Sequence, residues 1–87
     1  MTYRVLFSKS AQKDAEKIKK SNLSEKCKAL IEVISNDPFS KIPPFEKLVG
    51  DLTGFYSRRI NIQHRLIYSV DEEAKIVKVL RMWTHYE

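Results

Sequence analysis

Glu46, Arg65 and His85 are the side chains of this sequence whose types suit proton transfer around a phosphodiester. Cleaving RNA without a metal needs three groups. A base takes the proton of the ribose 2′-hydroxyl as it attacks phosphorus. An acid returns a proton to the departing 5′-oxygen. A cation holds the charge that builds on the phosphoryl oxygens. A carboxylate, an imidazole and a guanidinium supply that set. On residue types alone the plainer reading comes first: a solvated Glu46, an Arg65 paired structurally to an acid, and an exposed His85 near a frayed end.

Other chemistries find less support. His64 and His85 are the only histidines and Cys27 the only cysteine, so no cluster has metal-ligand spacing. No metal and no cofactor is therefore expected. No glycine-rich phosphate loop and no nucleophile-elbow motif occurs. Cys27 cannot form an internal disulfide and reads as a small buried hydrophobe on a helix.

The chain has 87 residues, which suits one domain over 1–87. Its hydrophobic fraction of 43% is too high for a disordered chain. It contains no apolar run of membrane length and no secretory leader. A cytoplasmic location with no membrane partner is expected. The net charge of +5 favours anionic partners. Between Asp51 and Asp71 there is no acid, yet Arg58, Arg59 and Arg65 lie there. Arginine without lysine suits bidentate phosphate recognition.

The elements that must position these groups follow from periodicity. Tyr3, Val5 and Phe7 alternate as a first strand. Ser8 and Ser10 can cap a helix whose narrow apolar face is Ala11, Ala15 and Ile18, with lysines on the solvated side. Asn22 and Glu25 suggest a capping box for a second helix. Leu23, Cys27, Leu30, Ile31 and Ile34 form its apolar stripe, and Asn36-Asp37-Pro38 end it. Residues 38–54 hold all three prolines and both glycines, together with Glu46. So long an irregular segment in a small domain suggests a working loop.

Three strands close the chain: Phe55 to Ile60, His64 to Val70 and Ile76 to Trp83. The order β-α-α-β-β-β predicts an α+β fold, with two helices on one face of a mainly antiparallel sheet. The other face should be a concave surface bearing arginine. Register is not readable, so Arg58 and Arg59 both remain candidates for it. His64 reads as a packed or locally bonded side chain. Trp83 and Phe55 read as core or interface aromatics, and Tyr56 as a core or base-stacking one.

Three segments together resemble a known family. They are Phe45-Glu46-Lys47-Leu48 continuing to Gly54-Phe55-Tyr56-Ser57-Arg58-Arg59-Ile60, then His64-Arg65-Leu66-Ile67-Tyr68, then His85-Tyr86. Their order and spacing resemble the YoeB/Txe toxins of the RelE superfamily. The resemblance is strong from Glu46 onward and architectural before it. It implies a RelE-like fold and a ribosome-dependent endoribonuclease that cuts messenger RNA in the A site of the small subunit. It also implies a homodimer neutralised by an antitoxin of the Phd/YefM type.

Residue by residue, the resemblance implies Glu46 as general base, Arg65 as phosphate stabiliser, His85 as general acid and Tyr86 as the aromatic that positions the nucleotide. Arg59, and with it Arg58, falls in the paired-arginine motif and is implied as a phosphate or RNA contact. Val49 stands where relatives commonly carry lysine, a contact that Lys47 would have to replace. Glu87 adds a carboxylate beyond Tyr86. Two other classes are compatible with the charge: a toxin of the same fold acting on a non-ribosomal target such as DNA gyrase, and a non-catalytic RNA-binding module.

Overall fold

The computed structural model describes residues 2–83. It runs β1 (Arg4–Phe7), α1 (Lys9–Lys19), α2 (Ser24–Asn36), β2 (Glu46–Lys47), a 3-10 turn at Gly50–Leu52, β3 (Tyr56–Arg59), β4 (Arg65–Asp71) and β5 (Ile76–Arg81). The strands form one sheet in the order β1-β5-β4-β3-β2. β1 runs parallel to β5, and every other pair is antiparallel. This is the expected α+β arrangement with one added strand. β2 has only two residues, too few to show an alternating pattern, and it pairs at the sheet edge with β3.

Each helix starts and stops for a local reason. The Ser8 hydroxyl accepts from the Ala11 amide at 3.0 Å, capping α1, and donates to the Leu80 carbonyl at 2.8 Å. One serine thus starts the helix and ties it to β5. The expected Asn22–Glu25 capping box does not form: the N-cap of α2 is Leu23, with no side-chain bond. Ser21 takes over part of that task by accepting from the Leu23 amide at 3.1 Å. Asp37 sits in extended conformation at the end of α2, as the Asn36-Asp37-Pro38 stop requires.

The core lies between the helices and one face of the sheet. Ala11, Ile18, Cys27, Leu30 and Ile34 from the helices meet Leu66, Tyr68, Val77 and Val79 from β4 and β5. Burial pushes the Cys27 thiol up, away from the reactive thiolate. Its Sγ lies 3.7 Å from Met82 Sδ, a packing contact.

Asp14 is a charged residue within this core, 2% exposed on the same face of α1 as Ala11 and Ile18. Its Oδ2 accepts from Arg81 Nε at 2.8 Å, from the Met82 amide at 3.0 Å and from the Trp83 amide at 3.2 Å. Burial pushes this carboxyl up, but the bonds from Arg81 and the two amides outweigh it and hold the group below the usual carboxylate range. α1 therefore grips the chain where it leaves β5.

A carboxyl depressed in the folded state adds stability above its unfolded pKa, and that stability is lost as pH falls through the folded value. Asp14→Ala is expected to lower unfolding free energy by about 2–3 kcal/mol at neutral pH. The gap between variant and native protein should close as pH falls below about 4, as read by urea denaturation across pH.

Candidate active site

The open face of the sheet is set by the alternation of β3. Its register puts Tyr56 opposite Tyr68 and Arg58 opposite Leu66, on the core side. Ser57 and Arg59 therefore face the other way. The two adjacent arginines have opposite fates.

Arg58 is 1% exposed. Its guanidinium donates to the Pro38 carbonyl at 3.1 Å, to the Ser40 carbonyl at 2.8 Å and to the Pro43 carbonyl. Its Nε donates to the Tyr68 hydroxyl at 3.0 Å, and that hydroxyl donates in turn to Pro38 at 2.7 Å. The guanidinium also lies over the Phe45 ring. Burial pushes the Tyr68 phenol up, keeping it a neutral donor, although Arg58 pulls it the other way. The expectation of Arg58 as an RNA contact is corrected here: its donors are spent on loop carbonyls that would otherwise be buried without partners. Tyr56 packs edge-on against Phe39 and Phe45, which makes it a core aromatic.

The loop held in this way delivers Glu46 to the sheet edge, directly opposite Ser57. Arg59 lies opposite Arg65 on the next strand pair. A cleft of about 360 Å³ results, lined by Pro43, Pro44, Phe45, Glu46, Ser57, Arg59 and Arg65. That is within the size range of small-ligand sites. Arg65 Nη1 stands 3.6 Å from Glu46 Oε1. The distance is an ion pair's rather than a hydrogen bond's. Glu46 is 71% exposed and Arg65 22%, so the pair is open to competition by an incoming anion. Arg59 has no ion-pair partner among the described residues.

Sequence reasoning thus named Glu46, Arg65 and Arg59, and the fold brings all three together. Lys47 is exposed, but alternation along β2 turns it to the opposite side from Glu46, and it does not line the cleft. Val49 is 76% exposed and brings no charge. His85, Tyr86 and Glu87 lie outside the described residues. Among the described residues, no three His, Cys, Asp or Glu side chains are grouped to hold a metal, and no helix is long and apolar enough to cross a membrane.

Two features of the site were not anticipated. Ser57 is 1% exposed, and its hydroxyl has no hydrogen-bond partner among the described residues. Trp83 stacks on His64 with ring centroids 3.9 Å apart and planes 18° apart. His64 immediately precedes Arg65, so the last described residue sits against the chain at the entrance to β4. The Asx turn that starts this segment fixes it: Asn61 Oδ1 accepts from the Gln63 and His64 amides at 2.8 and 2.6 Å. The placement of Trp83 depends on distant contacts with Asp14 and His64 that no local pattern displays.

Comparison with known proteins agrees with this fold. Residues 7–86 match the family described as YoeB-like toxin of bacterial type II toxin-antitoxin system. A toxin YoeB from Synechocystis is 37% identical over 76 residues, covering 87% of this chain and 79% of that one. A YoeB/ParE toxin structure from Agrobacterium tumefaciens superposes with TM-score 0.87 at 29% identity, over 95% of this chain and 99% of that one. The YoeB dimer from Staphylococcus aureus superposes with TM-score 0.83 at 32% identity, over 99% of this chain and 100% of that one. A heterotetrameric YoeB-YefM toxin-antitoxin complex from the same organism gives TM-score 0.82 at the same identity and coverage.

The contrast between the two arginines is open to test. Arg58→Ala strands several buried acceptors and should cost about 3–5 kcal/mol, a large part of the stability of so small a domain. Arg59→Ala should stay within about 0.5 kcal/mol of the native protein. Denaturant unfolding followed by circular dichroism checks both.

Proposed function

The chain belongs to the YoeB-like toxins of bacterial type II toxin–antitoxin systems, and from that premise we propose that it is a ribosome-dependent endoribonuclease cutting messenger RNA in the A site without a metal. The observation that carries this reading is the meeting of Glu46 and Arg65 in one cleft, with Arg59 beside them. A carboxylate and two guanidinia leave the cleft net positive, which suits a phosphate. The chain leaves the described fold at Trp83, stacked on the neighbour of Arg65. His85 follows two residues later in the sequence.

In the proposed reaction the scissile phosphate enters between Arg59 and Arg65 and competes with Glu46 for the second guanidinium. Glu46, released from its pair, takes the proton of the 2′-hydroxyl. The O2′–P bond forms as the P–O5′ bond breaks, and His85 gives its proton to O5′. Arg65 and Arg59 hold the charge that accumulates on the non-bridging oxygens. Tyr86 positions the nucleotide. The products are a 2′,3′-cyclic phosphate and a 5′-hydroxyl. The ribosome's role is to present the message in line, which lowers the entropic part of the barrier.

The chain acts as one toxin domain over residues 1–87, in the cytoplasm, where ribosomes and message are found. The Staphylococcus aureus relatives support a homodimer and a YefM-type antitoxin as its partners.

Glu46→Gln and His85→Ala are each expected to keep the native circular dichroism spectrum and to reduce cleavage by about 10²–10⁴-fold. Primer extension on programmed ribosomes reads this as lost A-site stops. Native protein that leaves translated message intact, or a His85→Ala variant that cuts at the native rate, overturns the proposal.

A further inference from the structure

The buried hydroxyl of Ser57 has no structural task among the described residues. It is 1% exposed, and it donates to and accepts from nothing among the described residues. Buried hydroxyls are nearly always paired, and an orphaned one is destabilising. Alanine would fit the same volume with no polar atom to satisfy, so packing alone gives no reason for a hydroxyl here.

Its location supplies a reason. Ser57 lies directly across the antiparallel ladder from Glu46 and lines the same cleft as Glu46, Arg59 and Arg65. Cβ atoms of directly opposed residues stand about 4.5–5.5 Å apart, within reach of a glutamate carboxylate turned toward its neighbour. In the free protein that carboxylate leans to Arg65. A phosphate bound by Arg65 competes for the guanidinium and leaves the carboxylate needing a new donor.

We propose that Ser57 is a positioning residue for Glu46, its hydroxyl donating to one carboxylate oxygen once RNA phosphate has taken Arg65. The other oxygen is then aimed at the 2′-hydroxyl. Among the described residues this donor is unsatisfied in the free protein, and the loaded site satisfies it. The inference rests on Glu46 being the base.

The test compares Ser57→Ala, Ser57→Thr, Glu46→Gln and the Ser57→Ala/Glu46→Gln double variant. Melting temperature is measured without RNA, and single-turnover cleavage of messenger RNA on programmed ribosomes is measured against toxin concentration. Ser57→Ala should melt at or above the native temperature. Its saturating rate should fall about tenfold to a hundredfold, with an unchanged half-saturating concentration. Ser57→Thr, which keeps the donor, should cut faster than Ser57→Ala. In the Glu46→Gln background, Ser57→Ala should add little further loss, because the two act as a unit. A Ser57→Ala variant that melts well below the native protein, cuts at the native rate, or slows the Glu46→Gln variant by the same factor overturns the inference. A fully active Glu46→Gln variant overturns the reading of Glu46 as base instead, whatever Ser57→Ala does.

Discussion

The buried guanidinium of Arg58 is the constraint on which the cleft depends. Residues 38–45 contain no helix or strand, and their carbonyls need donors once the segment lies against the sheet. Arg58 provides donors to three of those carbonyls from one rigid plane, and Tyr68 adds another to Pro38. A lysine ammonium could not span three divergent acceptors with a flat face left over for Phe45. Held this way, the loop forms one wall of the cleft and presents Glu46 at the sheet edge. Without it, β2 has only its two-residue pairing with β3 to keep the carboxylate near Arg65.

The same strand shows how strictly a period of two sorts function from structure. Tyr56 and Arg58 go to the core side, Ser57 and Arg59 to the open side. A slip of one residue would bury Arg59 among apolar side chains and push Arg58 into solvent. The aromatic cluster of Phe39, Phe45 and Tyr56 opposes such a slip, because only one register stacks Tyr56 between the loop rings and Tyr68. Specificity of pairing here comes from a charge and three aromatics rather than from strand length.

Much of this was legible in the sequence. Long helices and strands show themselves through apolar periodicity, so α1, α2, β4 and β5 fall where the pattern puts them, with ends shifted by a residue or two. Glu46 and Arg65 were identifiable as reactive types, and the family resemblance joined them. What was not legible depends on register or on distance in the chain. Arg58 and Arg59 are the same residue type in adjacent positions, and only pairing with β4 tells them apart. Asp14 carried a readable signal, since it falls on the apolar face between Ala11 and Ile18, but its partners Arg81, Met82 and Trp83 come from the far end of the chain. The orphaned hydroxyl of Ser57 belongs to a strand position that looks ordinary until its surroundings are known.

Two ion pairs in this fold illustrate how geometry separates holding from working. Asp14 and Arg81 meet at 2.8 Å, the carboxylate is buried, and two backbone amides complete its coordination. Breaking that pair would leave a charge in the core, so it fixes the end of β5 and does not exchange partners. Glu46 and Arg65 stand 3.6 Å apart with the carboxylate largely in water. Such a pair contributes little to stability and gives way readily to a better partner. A phosphate offers Arg65 two oxygens in the geometry a guanidinium prefers. In the proposed mechanism the exchange would release a carboxylate at the moment a base is needed, which gives the weakness of the Glu46–Arg65 contact a use there.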